Sequence, residues 1–379
     1  MNHKYSGKQI TKAGEFLLSD EIFDDQPKLN YAMEVMSYWR FQHEQPLEKA
    51  LSILKAETIP NDRTAIFAKR LKRYASIVSK LRRFPQMKLK NMQDIGGCRA
   101  IVSNQKKLYQ ITRALRKRTE FKNSSGKIRF KDYIKSPKED GYRGYHLVGR
   151  FSDIWGETKL IELQLRTTIQ HDWATALEIV DLFTGQALKS SQGEQDWKDF
   201  FKLVSENFSA MEDFHLFSEK PAEEKLNLYR EKLRSDSNLK AAAEEVAFYE
   251  ADLGVVKKLR AFAHSLNAAD QHISEKKFEG YVLLRVDTKK STIQSTLFKN
   301  EETRAAEKLY LRLEKETVDN NEIVIALVST TAVGGIKEAY PNYFADSTDF
   351  LHYLTIILTA SPSPLVCAMS LTKTPHYAQ

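Results

Sequence analysis

TKLIELQLRT, Thr158–Thr167, alternates strictly between apolar and polar side chains. A strand sends successive side chains to opposite faces, so Ile161, Leu163 and Leu165 share one face and Glu162, Gln164 and Arg166 the other. An acid, an amide and a base in a row are unusual on a core strand. They read as the floor of a site.

Working outward, further strands are expected in NMQDIGGCRAIV (91–102), after its two glycines, in IRFKDYI (128–134) and in YHLVGRF (145–151), with a turn at Trp155 and Gly156. KKLYQITRALRKR (106–118) and HDWATALEIVDLF (171–183) read as helices, as do stretches of residues 1–60. TAIFAKRLKRYASIVSKLRRF (64–84) is predicted as one helix by its period. Phe67, Leu71, Tyr74, Val78 and Leu81 fall on its apolar side, and Lys69, Lys72, Arg73, Lys80 and Arg83 on a cationic side. Residues 196–275 are helical in composition. From Glu279 the pattern becomes strand YVLLRVD, a crossing through STIQSTLF, helix EETRAAEKLYLRLEKE, strand EIVIALVS and a helical end, EAYPNYFADSTDFLHYL. That is an α+β module of a size able to fold alone.

At 379 residues the chain is long for one core, and two or three domains are the expectation. Two cysteines, Cys98 and Cys367, exclude a disulfide framework and a four-cysteine zinc site and suit a reducing compartment. The polar opening MNHKYSGKQI has no apolar core of a secretory signal, and FLHYLTIIL from Phe350 is too short to span a bilayer. A soluble, cytoplasmic protein that uses no membrane is expected. Charge is uneven: residues 61–150 carry 25 Lys or Arg against 6 Asp or Glu, a balance of +19 in a chain of +8, which leaves −11 elsewhere. So strong a basic surplus points to a polyanionic ligand, nucleotide phosphates or a nucleic-acid backbone.

Phosphoryl transfer needs cations over the phosphates, carboxylates for a divalent metal and a positioned nucleophile. Lys72, Lys80 and Arg83 supply cations, Asp94 and Glu162 are hard oxygen ligands for Mg²⁺, and Tyr142 offers a flat surface for an acceptor base. No GxxxxGK[ST] loop or kinase signature set is present.

The order RLKRYASIVSKL, DIGGCRAIV, KDYIKSPKEDGYRGYHL and IELQLRTTIQHDWATALE resembles the synthetase domain of the RelA/SpoT family over about residues 60–185. The resemblance implies an α+β fold, a nucleotidyltransferase-like mixed β-sheet flanked by helices. It implies transfer of the β and γ phosphates of ATP to a ribose 3′-hydroxyl, with release of AMP. In that assignment Arg70 and Arg99 sandwich the adenine, and Lys72, Lys80 and Arg83 hold the triphosphate. Asp94 and Glu162 bind magnesium, and Glu162 is the candidate base. Tyr142 stacks on the acceptor base, Lys138 and His146 fix the acceptor, and Gln164 and Arg166 line the floor.

Housekeeping alarmone synthetases have GYxSLH where Arg143, Gly144 and Tyr145 stand here, and an acid–histidine pair where this chain has Glu178 and Ile179. No HDxxED hydrolase motif precedes the region. GYRGYH with HDWATALE is similar instead to the toxic small alarmone synthetases, several of which pyrophosphorylate the 3′ CCA end of tRNA; the basic surplus suits that acceptor. The C-terminal stretch resembles the antitoxin domain of CapRel, fused toxin–antitoxin proteins of phage defence, described as a pseudo-zinc-finger. With Cys367 and a few histidines, zinc is not expected. The resemblance implies that Tyr340 and Tyr343 fold back over the ATP site and that a phage protein, typically the major capsid protein, releases the block. The implied organisation is N-terminal helices over 1–60, a pyrophosphokinase core over 61–195, a helical connector over 196–275 and an antitoxin or sensor domain over 276–379. Two other readings stand beside it: an alarmone synthetase acting on GDP, GTP or an adenosine nucleotide, and a catalytically silent RNA-binding or phage-sensing module.

Overall fold

The computed structural model describes residues 4–19, 25–72, 74–184, 188, 193–261, 280–287, 290, 292–317, 323–329 and 341–361. The chain divides into two compact units, Met1–Ser136 with Arg143–Thr168 and Pro137–Tyr142 with Ile169–Gln379.

In the first unit, five strands form a mixed sheet: β1 (Ile66–Leu71), β2 (Gly96–Val102), β3 (Arg129–Asp132), β4 (Tyr145–Ser152) and β5 (Thr158–Thr167). Their order is β1-β2-β5-β4-β3, with β2 and β5 parallel and the other neighbours antiparallel. The alternation of β5 survives: Ile161, Leu163 and Leu165 are buried against Cys98, Ala100 and Leu147. That face packs on α3 (Glu44–Thr58) through Leu47, Ala50 and Leu54, and on α5 (Gln105–Lys117) through Leu108, Ile111 and Leu115. Asn104 caps α5 by accepting from the Lys107 amide at 3.0 Å, satisfying one of the first turn's unpaired donors. Gly96 is required by packing, since a Cβ there would lie 2.8 Å from Ile161 and 3.4 Å from His43. A second core joins α1 (Gly7–Phe16), α2 (Gln26–Phe41) and α4 (Tyr74–Arg83) through Ala13, Leu17, Val35, Met36, Ile77 and Leu81.

The expected single helix over 64–84 is corrected. Residues 66–71 form strand β1, antiparallel to β2 from Ile66 opposite Ile101 to Leu71 opposite Gly96. Helical period in this stretch lost to ladder hydrogen bonds, because Ile66–Leu71 lies beside a free edge of β2 and only α4 buries an apolar helical face. The strand expected in IRFKDYI ends at Asp132, whose Oδ1 accepts from the amides of Ile134 and Lys135 at 3.2 Å and turns the chain. The turn at Trp155 and Gly156 is present: Asp153 Oδ1 accepts from the amides of Trp155 and Glu157, and Gly156 has φ +87°.

In the second unit, α6 (Thr168–Thr184), α7 (Gln195–Glu212), α8 (Ala222–Ser235) and α9 (Ser237–Leu253) precede a three-stranded antiparallel sheet. Its strands are β6 (Gly280–Asp287), β7 (Thr292–Lys299) and β8 (Ile323–Ser329), in the order β7-β6-β8, with α10 (Thr303–Glu316) packed on them. STIQSTLF, expected as a crossing, is therefore a paired strand, with Leu283 opposite Thr296. The last helix, α11 (Pro341–Ala360), packs on α7, α8 and α9. Phe350 meets Phe201 and Phe208 with ring centres 6.1 and 5.5 Å apart, and Tyr353 meets Phe208 and Phe217. Among the described residues no helix is long and apolar enough to cross a membrane.

Candidate active site

Register decides which side chains meet on the open face of the first sheet. Gly97 and Arg99 of β2 stand opposite Glu162 and Gln164, and Val148 and His146 of β4 flank the same pair from the other side. Paired residues share a face, so Arg99, His146, Glu162 and Gln164 form one polar row. Lys131 joins it beside His146, and Ala68 opposite Arg99 places Arg70, two residues on, at the exposed edge of that face. Arg166 continues the row and is buried. Gly97 contributes no side chain next to Glu162, which is the close backbone approach its residue type allows.

The Glu162 carboxylate is held from both sides. Its Oε1 lies 3.0 Å from His146 Nδ1, and its Oε2 accepts from Gln164 Nε2 at 2.8 Å. The Gln164 Oε1 accepts in turn from Arg99 Nη2 at 3.3 Å. Burial acts to raise Glu162, but the hydrogen bond and charge of His146, the Gln164 hydrogen bond and the Lys80 charge outweigh it and hold the group at about 2. A carboxylate held there carries no proton at neutral pH, so the hydrogen in the His146 contact belongs to Nδ1. Tyr133 packs edge-on against the His146 ring at 5.2 Å.

Asp94, just before β2, is the second acid. Its Oδ2 accepts from Lys72 Nζ at 2.9 Å and from Lys80 Nζ at 2.8 Å. Lys80 thus pairs with Asp94, and its charge is one of those that lower Glu162. Lys72 is fixed through its backbone: its amide donates to the Ile95 carbonyl at 2.7 Å, and its own carbonyl accepts from Arg40 Nε at 2.8 Å. Arg40 went unread in the sequence, because an arginine near the end of an aromatic-rich helix carries no motif; its signal is burial, seen only in three dimensions. Arg83 ends α4 with its guanidinium 5.2 Å from the Phe84 ring centre. The structure brings Lys72, Lys80 and Asp94 into one network and Arg99, His146, Glu162 and Gln164 into another, leaves Arg70 exposed beside them, and sets the Arg83 guanidinium against that ring.

Magnesium fits the two acids by donor type and by one orphan atom: Asp94 Oδ1 is buried and has no hydrogen-bond partner among the described residues. Among those residues no three His, Cys, Asp or Glu side chains converge, so substrate oxygens and water would complete the shell around Asp94 and Glu162.

Lys138 and Tyr142 belong to Pro137–Tyr142, in the second unit. Gly141 has φ +86°, a Cβ there would lie 2.9 Å from Lys202 Cα, and its carbonyl accepts from Ser205 Oγ, which pins the loop to α7. The Tyr142 amide donates to Asp140 Oδ1 at 2.9 Å. Lys138 Nζ sits 4.5 Å from the Tyr142 ring centre, so one ring face already carries a cation. Tyr340 lies outside the described residues; Tyr343 lies in α11, where its backbone alone is described.

Residues 69–179 match the region found in RelA / SpoT proteins. The chain is 36% identical over 111 residues to GTP pyrophosphokinase YjbM of Bacillus subtilis (strain 168), covering 28% of this chain and 51% of that protein. It is 30% identical over 115 residues to GTP pyrophosphokinase YwaC of the same strain, covering 28% and 52%. The chain thus spans about half the length of the curated relatives it matches. Among solved structures it is similar to small alarmone synthetase 1 of Bacillus subtilis bound to its product pppGpp, at 26% identity over 46% of this chain and 93% of that one, with a TM-score of 0.38. Small alarmone synthetase 2 of Bacillus subtilis follows at 21% identity, 51% and 95% coverage and a TM-score of 0.36. The matched segment, 69–179, contains every candidate residue from Arg70 to Arg166.

Proposed function

We propose that this chain is an ATP-dependent pyrophosphokinase that transfers the β,γ-diphosphate of ATP to a ribose 3′-hydroxyl. The 3′-oxygen bonds to the β-phosphorus, the bond from that phosphorus to the α,β-bridging oxygen breaks, and AMP leaves with the bridging oxygen. Lys72 and Lys80 exchange Asp94 for phosphate oxygens as ATP arrives, and Arg70 and Arg99 bracket the adenine on the open face. Magnesium, held by Asp94 and Glu162, supplies charge neutralisation when bound. Glu162, with His146 held against it, takes the hydroxyl proton. A group at about 2 is a weak base, so that transfer belongs late, once bonding to phosphorus has made the hydroxyl acidic. The observation that carries the reading is the Glu162 carboxylate, held on the open face by His146 Nδ1 at 3.0 Å and Gln164 Nε2 at 2.8 Å.

The acceptor in this reading is the 3′ CCA end of tRNA, its base on Tyr142 and its approach fixed by Lys138 and His146. The support is the +19 balance of residues 61–150, more than a nucleotide's phosphates require. The C-terminal pseudo-zinc-finger region restrains the enzyme through Tyr340 and Tyr343, and a phage structural protein such as the capsid protein relieves it, making the chain a fused toxin–antitoxin defence protein. A second reading, a GDP, GTP or adenosine-nucleotide acceptor, is favoured by the relatives named GTP pyrophosphokinases. Labelled ATP with either deacylated tRNA or GTP separates them: label on the tRNA 3′ end supports the first, and label on GTP alone overturns it in favour of the second.

A further inference from the structure

A cavity of about 870 Å³ opens between α5 and the outer strand of the first sheet, walled by Tyr109, Arg113, Arg116, Phe130, Lys135 and Tyr145. Phe130, Tyr145 and the α5 residues line it from the side of the sheet away from the carboxylates, while Lys131 and Tyr133, on the His146 side, also border it. In the β3–β4 ladder Phe130 pairs with Leu147 and Asp132 with Tyr145, whereas Lys131 pairs with His146 of the open face. The volume is that of a small-molecule site.

Its walls combine cations with aromatic planes. The Arg116 guanidinium sits 4.4 Å from the Phe130 ring centre and Lys135 Nζ 5.6 Å from that of Tyr109. Phe130 is 41% exposed for so apolar a ring, and stacks on Tyr145 at 5.6 Å with planes 8° apart. Asp132 is the one acid in the wall. Its oxygens accept from the Tyr109 hydroxyl and from the Ile134 and Lys135 amides, and its single negative charge stands against the four cations Arg113, Arg116, Lys131 and Lys135 of the wall. Tyr145 is 2% exposed, yet its hydroxyl, beside Arg116, forms no well-aligned hydrogen bond among the described residues. A buried donor without an acceptor is costly unless something fills the role.

We propose that this cavity binds a phosphorylated nucleotide, with phosphate on Arg113, Arg116 and Lys135, the Tyr145 hydroxyl donating to it, and the base against Phe130 and Tyr109. Arginine forks suit phosphate, and aromatic faces accept any base. The same chemistry is offered by one nucleotide of an RNA strand or by a free nucleotide. The site does not depend on which acceptor the transferase uses.

The test is fluorescence anisotropy on the full chain with two probes, a labelled single-stranded RNA of about ten nucleotides and a fluorescent GTP analogue, each titrated over a range of salt. Arg113→Ala with Arg116→Ala is expected to weaken binding of one probe at least tenfold and to flatten its salt dependence by about two counterions for RNA. Tyr145→Phe is expected to weaken it severalfold. Transfer of diphosphate to GTP or tRNA, measured on the same proteins, reports the open face independently. Weakening for RNA assigns the cavity to a strand, and weakening for the analogue alone assigns it to a free nucleotide. Unchanged binding of both probes overturns the proposal. Lys135→Ala, an exposed turn position, repeats the test should the double variant misfold.

Discussion

In the proposed reaction, Glu162 is the residue on which the chemistry turns. It sits under a glycine, between a histidine and an amide, and stays ionised across the neutral range. Glu162→Gln keeps the shape and loses the charge: diphosphate transfer is expected to fall at least a hundredfold, with the circular-dichroism spectrum unchanged. Retained turnover contradicts the assignment. With the group at about 2, the pH–rate profile should show no acid limb from this carboxylate between pH 4 and 8, and a limb centred near 4.5 would show that His146 and Gln164 do not hold it in solution. Most of this site was legible in the sequence. Period two in β5 alone put Glu162, Gln164 and Arg166 on one face, and the chemistry of phosphoryl transfer singled out Asp94, Lys72 and Lys80 before the resemblance gave them places. The histidine's contact with the acid was not legible, because it depends on the register of β4 against β5, which no local pattern encodes.

At the scale of elements, the mixed sheet carries the site and its glycines and caps make it possible. Gly96→Ala forces a Cβ to within 2.8 Å of Ile161, and thermal unfolding should show a loss of about 1–3 kcal/mol. His43, buried at the α2–α3 junction with Nδ1 2.8 Å from the Trp39 carbonyl, is lowered to about 4, chiefly by burial. A folded value below the unfolded 6.5 means the unfolded chain binds the proton more readily between those values. Stability should therefore decline as pH falls from 6.5 to about 4, by roughly 3 kcal/mol, and level off below. His43→Gln should flatten that slope in pH-dependent denaturant melts, and an unaltered slope would assign it elsewhere. The misread element, 64–84, shows where sequence runs out. Apolar residues at helical spacing also occur in an edge strand with little to bury, and partner strand β2 settled the conformation.

At the scale of the molecule, the last helix packs on α7–α9, where Phe350 enters an aromatic cluster with Phe201 and Phe208. Phe350→Ala should cost about 3–5 kcal/mol in chemical denaturation, and a change under 1 kcal/mol would mean that α11 is not held there in solution. Composition announced a basic segment and an acidic remainder, but nothing local in the sequence connects residue 350 with residue 201. The measurement that bears most directly on the whole account is the stoichiometry of nucleotide products from ATP with tRNA or GTP as acceptor. One AMP for each 3′-diphosphate formed, both lost in Glu162→Gln, is the predicted result. ADP as the leaving product, or AMP formation undiminished in that variant, would contradict it.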